Sequence, residues 1–312
     1  MELKKITSVF RKKINSRLLF SRFFRDTNED YRKTILIAGT GRSGTTWIAN
    51  MINYNNDYRF MFEPFMPKYV PECKQFKYRQ YIRPNNNNKK FLEPANKILS
   101  GNIRNKWIDK FNKKFSCEYR LVKDIRINLF LKWIKTHFPE IPIILVLRHP
   151  CAVANSRLKL NWDNHLDSLL SQSELIEDFL KQFLGEIKKC ETDFEKHVFL
   201  WCIETYVVLK QFRNSNMHIV CYENMCTDPL KEINRLFEFI GREHSEKVFH
   251  QAKKPIMIRK DSAILTGENL INQWKKDVSE TMIKRTLEIL ELFELNKVYS
   301  EKPEPNTDKI FS

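Results

Sequence analysis

Glycine is scarce in this chain, at 7 of 312 residues, and acidic residues are outnumbered, 38 Asp and Glu facing 54 Lys and Arg for a formal net charge of +16. So little glycine, with 12 prolines, excludes a collagen-like or low-complexity chain. Hydrophobic residues make up 42%, with 23 Phe, which is enough to bury a core and excludes disorder. Long apolar runs are missing too. Charge-free apolar stretches reach a handful of residues, as in Ile143 to Leu147, whereas a membrane-spanning helix needs about 20. The first 25 residues carry eight Lys or Arg and one Glu without a continuous apolar core, so they do not read as a cleaved secretory signal. The seven cysteines are odd in number and scattered, with no C-x-x-C pair and no His cluster of zinc spacing. That usage points to a reducing, cytoplasmic compartment and to no metal. The basic excess favours an anionic partner: nucleic acid, a membrane surface, an anionic cofactor or an anionic polymer. No aromatic-basic RNA motif and no DNA-reading helix accompanies it, so nucleic acid is not the expected partner.

Residues 1 to about 33 read as a basic extension. Leu3, Ile6, Phe10, Ile14 and Leu18 fall at helical spacing among lysines and arginines, which suits either a solvated helix or one lying peripherally on the anionic inner face of a membrane. From Thr34 the pattern becomes strand (TILIAG), tight loop, then helix. A second strand-like run, Tyr58 to Phe62, ends at Glu63-Pro64, and residues 65–118 show no clear period and read as an irregular insertion over a cleft. EYRLVKDIRI predicts a strand, followed by a short helix about Leu129 to His137. IPIILVLRHP, apolar without alternation, predicts a central parallel strand buried on both faces, with a helix after it from near Ala152. Helices are expected over 174–190 and 195–213, a strand over His218–Met225, and a helix over Pro229–Gly241 with Asp228 as its cap. A last helix covers Ser279 to Leu295, and 301–312 reads as a loose tail. Strands alternating with helices imply an α/β fold, a P-loop-like parallel sheet flanked by helices, in a single domain over 34–300.

The informative loop is GTGRSGTTW, Gly39 to Trp47. Unpaired backbone amides at a Gly-rich turn entering a helix favour an anion. Three chemistries write such loops. The nucleotide-triphosphate pattern G-x-x-x-x-G-K-[ST] matches at Gly39, Gly44 and Thr46, but Thr45 stands where the lysine should be. The dinucleotide fingerprint G-x-G-x-x-G is met by Gly39, Gly41 and Gly44, with Glu63 where a ribose-binding acid would sit. Against that stand Arg42 inside the loop, two hydroxyls after the last glycine, and bulky Trp47 in the first helical turn. The third reading comes from a second constellation. Arg148 closes the buried strand and Ser156 follows eight residues later on the next helix. In an open parallel sheet both loops open beyond the carboxyl ends of the strands, so Arg148 and Ser156 can grip a second phosphate on the far side of a nucleoside.

G-R-S-G-T-T-W after a strand, paired with L-R-H-P-x-A-V-x-x-S, resembles the sulfotransferases that use 3′-phosphoadenosine 5′-phosphosulfate (PAPS). His218 to Gly241 is similar to that family's strand, Y-E-x-x, x-D-P and helix. The resemblance implies that Arg42, Ser43, Gly44, Thr45 and Thr46 hold the 5′-phosphosulfate and that Trp47 stacks on adenine, with Tyr222 at its edge. It implies that Arg148 and Ser156 bind the 3′-phosphate, with Arg259 and Lys260 from a C-terminal loop. It places Lys123 near the bridging oxygen, and Arg42 where it can stabilise charge on the transferring group. Core packing for Trp47 and Tyr222, and solvated positions for Lys123, Arg259 and Lys260, are the competing readings. His149 reads as support for its loop.

Sulfotransferases acting on small phenols and steroids carry a His two residues after that lysine, and Ile125 stands there instead. Glu63, in Phe62-Glu63-Pro64-Phe65, resembles the E-P element of carbohydrate sulfotransferases. A carboxylate at a strand end can act as general base or orient the acceptor, with Asp163 and His165 in reserve. The expected acceptor is therefore a hydroxyl on a glycan or glycolipid. A Rossmann-type NAD enzyme and a noncatalytic anion binder are the rival classes. Calorimetry separates them: tight binding of adenosine 3′,5′-bisphosphate, lost in Arg148→Ala, is expected, and a preference for NAD would overturn the reading.

Overall fold

The computed structural model describes residues 24–213, 216–253 and 270–311. Most of the basic extension, together with Arg259 and Lys260, lies outside the described residues.

Apolar runs with turn residues at both ends make strands that must be covered on both faces, and five of them pair here into one parallel sheet. The strands are β2 (Thr34–Gly39), β3 (Tyr58–Phe62), β5 (Tyr119–Lys123), β6 (Ile143–Leu147) and β7 (His218–Cys221), in the order β3-β5-β2-β6-β7. Two short strands, β1 (Arg25–Asp26) and β4 (Ser116–Cys117), form a separate parallel pair. β2 and β6 are buried along their whole lengths. The pleat splits them by parity: Leu36 and Ala38 join one hydrophobic cluster, and Ile35 and Ile37 join the other.

Helices cover both faces, as expected of an α/β fold. α1 (Thr45–Ile52) buries Trp47, Ile48, Met51 and Ile52 on one side. α2 (Lys89–Leu99), α3 (Leu131–His137), α4 (Pro150–Leu158) and the internal α5 (Asp193–Phe212) lie on the other. A capping box between Thr192 and Glu195 starts α5. α6 (Tyr222–Thr227), α7 (Pro229–Phe239) and α8 (Lys247–Ala252) return to the first face, with the Asp228 carboxylate accepting from the Lys231 amide to cap α7. α9 (Glu280–Leu292) is capped by Ser279. No helix among the described residues is long and apolar enough to cross a membrane.

Four expectations differ in detail. The last strand stops at Cys221, opposite the final residue of β6, and Tyr222 already begins a helix. With no partner strand beyond Leu147, the extended form has nothing to bond to. The stretch 65–118 contains α2, whose buried Phe91, Ala95 and Ile98 do follow a helical period, interrupted by Pro94. Residues 174–190 are broken into short turns, including a π turn over Ile176–Leu180, rather than one helix. Within 301–312 the chain docks: Asn306 donates to the Val298 carbonyl and Ile310 joins the core.

Gly39 ends β2 where a Cβ would stand 2.5 Å from the Val146 carbonyl oxygen, at φ +153°. Gly39→Ala should cost about 2 kcal/mol or more of stability through clash and strain. An unchanged denaturation midpoint would show that the strand end adjusts freely.

Candidate active site

The carboxyl ends of the strands gather the chemistry. Ile37 is in register with Lys123, Phe62 with Lys123, Gly39 with Val146, and Leu147 with Cys221. The loop Gly39–Gly44, Glu63, Lys123, Arg148 and Tyr222 therefore leave the sheet along one edge. The loop itself is tight. Asn128 accepts from the Gly39 amide at 3.1 Å, and the Ser43 hydroxyl donates to the Thr40 carbonyl at 2.6 Å. Gly44 caps α1 at φ +97°, where a Cβ would meet the Tyr222 ring at 2.8 Å, so only glycine allows loop and tyrosine to touch. Arg42, at φ +82°, is held in a left-handed turn that disfavours a side chain.

The two distant motifs meet directly. Arg42 Nε donates to Ser156 Oγ at 2.9 Å, and Arg148 Nη1 donates to the Arg42 carbonyl at 3.2 Å. The Arg148 guanidinium lies 4.1 Å from the centroid of the Tyr222 ring, and that ring is 5.4 Å from Trp47. Loop, strand-end arginine and helix serine thus share one crevice. Trp47 is buried, with its indole N–H donated to the Ala252 carbonyl at 3.0 Å. Burial raises the Tyr222 phenol to about 12, so it stays protonated.

The model of the sulfotransferase domain matches residues 32–289. The chain belongs to the sulfotransferase family. PAPS-dependent sulfuryl transfer is the activity that membership carries. Among solved structures it is similar to the sulfotransferase domain of the curacin biosynthetic pathway, at 13% identity over 83% of this chain and 96% of that one, with a TM-score of 0.47. The sulfotransferase domain of the Synechococcus PCC 7002 olefin synthase gives 14% identity over 84% and 94%, with a TM-score of 0.48. A mouse sulfotransferase complexed with PAP gives 14% over 89% and 88%, with a TM-score of 0.47. No curated protein matches significantly.

Across the crevice of this sulfotransferase lies an ionic cluster. Glu63 sits at φ +45°, buried, with Oε1 on Lys123 Nζ at 2.7 Å and Oε2 on Arg126 Nη1 at 2.6 Å. Burial pushes its carboxyl up, but the two cations outweigh burial and hold it below the ordinary glutamate range. Both carboxylate oxygens of Glu63 are thus held by cations in the resting site. Asp124, fully buried, accepts from the Phe65 and Arg126 amides at 3.0 Å and so fixes the turn after Glu63. Trp107 donates to the Glu63 carbonyl at 3.2 Å and stacks on Tyr69 at 4.1 Å.

Asn128, Asp124 and Arg126 escaped the sequence reading. The nearest signal was the D-x-R directly after Lys123, visible only once that lysine is placed at a strand end. His165 lies against Tyr78 at 4.3 Å and 3.5 Å from Asp163, and neither bonds to Glu63 or Lys123. His149 supports its loop: it stacks on Trp274 at 4.4 Å, Nε2 bonds to the Ser300 carbonyl, and Nδ1 accepts from Cys151. Burial lowers it to about 4, leaving it neutral.

Glu223 ties that loop to α6, accepting from the His149 amide at 2.8 Å and from the Tyr299 hydroxyl at 3.2 Å. Burial raises its carboxyl to about 7, against a lowering pull from the His149 amide and Arg148. A carboxyl raised on folding favours the protonated fold, so its contribution is full below the unfolded value and is lost as pH climbs through 7. Glu223→Gln should therefore gain stability relative to the native chain between about pH 5 and 8, by on the order of 1–3 kcal/mol. Parallel stability curves for the two proteins would contradict it.

Proposed function

We propose that the chain transfers a sulfuryl group from PAPS to a hydroxyl of a carbohydrate or glycolipid, with Glu63 as general base. The observation that carries this is the carboxylate set beside Lys123, where the register of β3 and β5 puts both at the carboxyl edge of the sheet. Ile125, in the place of the phenol-type histidine, is buried, and its Cδ1 lies 3.0 Å from where a Cβ on Gly41 would stand. Tyr69, exposed and stacked on Trp107 beside Glu63, adds aromatic surface of the kind that the C–H faces of sugars pack against, while the Lys110 ammonium lies over Trp107.

The residues present suit an adenosine bisphosphate. Loop amides between Gly39 and Thr46, with the hydroxyls of Ser43, Thr45 and Thr46, form the 5′ end of the site. Arg148 and Ser156 form the 3′ end. Arg42 spans the two, since its backbone belongs to the loop and its guanidinium bonds to Ser156. Trp47 and Tyr222 supply aromatic surface for the base between them. Arg259 and Lys260 remain part of this reading, as further cations for the 3′-phosphate. When bound, PAPS supplies an activated sulfuryl group and a phosphate leaving oxygen.

Lys123 is shared between Glu63 and that leaving oxygen. In the resting site it lowers the basicity of Glu63. Once its ammonium turns to the anionic donor, Glu63 keeps only Arg126 and becomes a stronger base, timed to take the proton of the acceptor hydroxyl. Catalysis then rests on positioning and charge stabilisation by this chain's own cations. Docking at an anionic membrane surface through residues 1–33 belongs to the same proposal, since their lysines and arginines would meet headgroups near glycolipid acceptors.

Glu63→Gln should keep the affinity for adenosine 3′,5′-bisphosphate while lowering turnover by about 100-fold or more. Radiolabelled sulfate transfer from PAPS to a panel of glycans, with calorimetry of the bisphosphate, checks both halves. Unchanged turnover would remove Glu63 as base, and exclusive transfer to phenols would remove the carbohydrate acceptor.

A further inference from the structure

Next to Glu63 lies a group of guanidinium ions of which only Arg126, through one nitrogen, takes part in the proton-transfer site. Arg157 follows Ser156 on α4 and is 1% exposed. Its Nε donates to the Gly41 carbonyl at 3.2 Å, and both of its Nη atoms are buried without a hydrogen-bond partner. Arg79, 2% exposed, pairs one Nη with the buried Glu204 and leaves its Nε unpartnered. Arg126 pairs with Glu63 and leaves its Nε unpartnered as well. Three side chains thus bury four nitrogens that no protein acceptor meets, although buried donors are almost always satisfied.

Tyr78 joins these groups. Arg126 lies 4.7 Å and Arg79 5.6 Å from its ring centroid, and His165 packs on the ring at 4.3 Å. Burial and the neighbouring Arg79 lower Arg157 to about 9, which leaves it a cation at neutral pH. An unpaired buried guanidinium is costly, and a fold that keeps one has a ligand to offer it.

We infer that Arg157, Arg79 and Arg126, with Tyr78 and His165, form a subsite for an oxyanion carried by the acceptor, a carboxylate or a sulfate or phosphate ester on a glycan. This rests on the donor reading above and deepens it from a carbohydrate to an already anionic one. Two observations separate the subsite from the donor's own anion sites. The loop turns the Gly41 carbonyl, not an amide, toward Arg157, so only guanidinium groups attract an anion here. Arg126 reaches Glu63 at its other nitrogen, which puts the subsite one guanidinium away from the base. Trp162 follows on the same chain turn, its amide donating to the Arg157 carbonyl at 3.1 Å. It is 37% exposed and lies 2.7 Å from where a Cβ on Gly41 would stand, in a turn whose Asn161 and His165 have φ of 51° and 55°.

Calorimetric titration of inorganic sulfate into protein already saturated with PAPS tests the inference at fixed ionic strength. The native chain should bind sulfate, Arg157→Gln should weaken that binding by about tenfold or more, and PAPS affinity should change by less than about twofold. No sulfate binding to the PAPS-bound native protein, or a parallel loss of PAPS affinity in the variant, would overturn it. Failure of PAPS to bind the native protein at all is read in the same experiment and would undo the donor reading instead. Melting of Arg157→Met guards against a folding defect. With PAPS saturating both proteins, so that sulfate cannot act through the donor's own anion sites, it should melt above the native chain, since an uncompensated charge is gone, and added sulfate should no longer raise its melting temperature. A lower melting temperature with the sulfate-dependent rise intact would count against the subsite.

Discussion

Positive charge crowded at one edge of a sheet is the constraint that shapes this molecule. Arg42, Lys123, Arg126 and Arg148 all leave strands or loops at the carboxyl ends, within reach of one another through Glu63, Ser156 and Tyr222. Such a set repels itself in the resting protein. It is tolerated because each cation is lent a partner: Glu63 takes two, Ser156 takes the Arg42 guanidinium, and the Tyr222 ring face takes Arg148. On the donor reading proposed above, a polyanionic ligand would replace these internal partners one for one.

Rigid polar groups behind the site make that exchange specific. Asn128 fixes the first amide of the loop, Asp124 fixes the turn after Glu63, and Glu223 with His149 fixes the loop after Arg148. These groups are buried, and none is a cation of the site. Their neutral or satisfied states are set by burial: His149 stays uncharged and Glu223 titrates near neutrality. The catalytic edge is therefore flexible only in which partner each cation holds, and its backbone is pinned from beneath.

Much of this was legible before any coordinates. The fully buried strands read as unbroken apolar runs, and the glycine-rich turn and the Arg148–Ser156 pair, singled out by spacing, do meet through Arg42. Local periodicity erred where polar function overrode it. Tyr222 and Glu223 continue an apparent strand in sequence, yet they begin a helix because β6 offers no further pairing. Pro94 broke the visible period of α2, although Phe91, Ala95 and Ile98 still form its buried face. Asp124, Asn128 and Arg157 were invisible because single polar residues carry no period and no motif.

Order along the chain thus determined the family and the parallel α/β sheet, because those depend on short-range patterns: strand, turn, helix and fixed spacing. What only the tertiary structure decided is pairing across long separations. Lys123 and Arg126 both settle on Glu63, Arg42 reaches Ser156, and Arg157 is left with buried nitrogens that no protein acceptor meets. Which charge meets which depends on sheet order and burial, and a buried charge is satisfied or stranded by neighbours that a linear pattern does not specify.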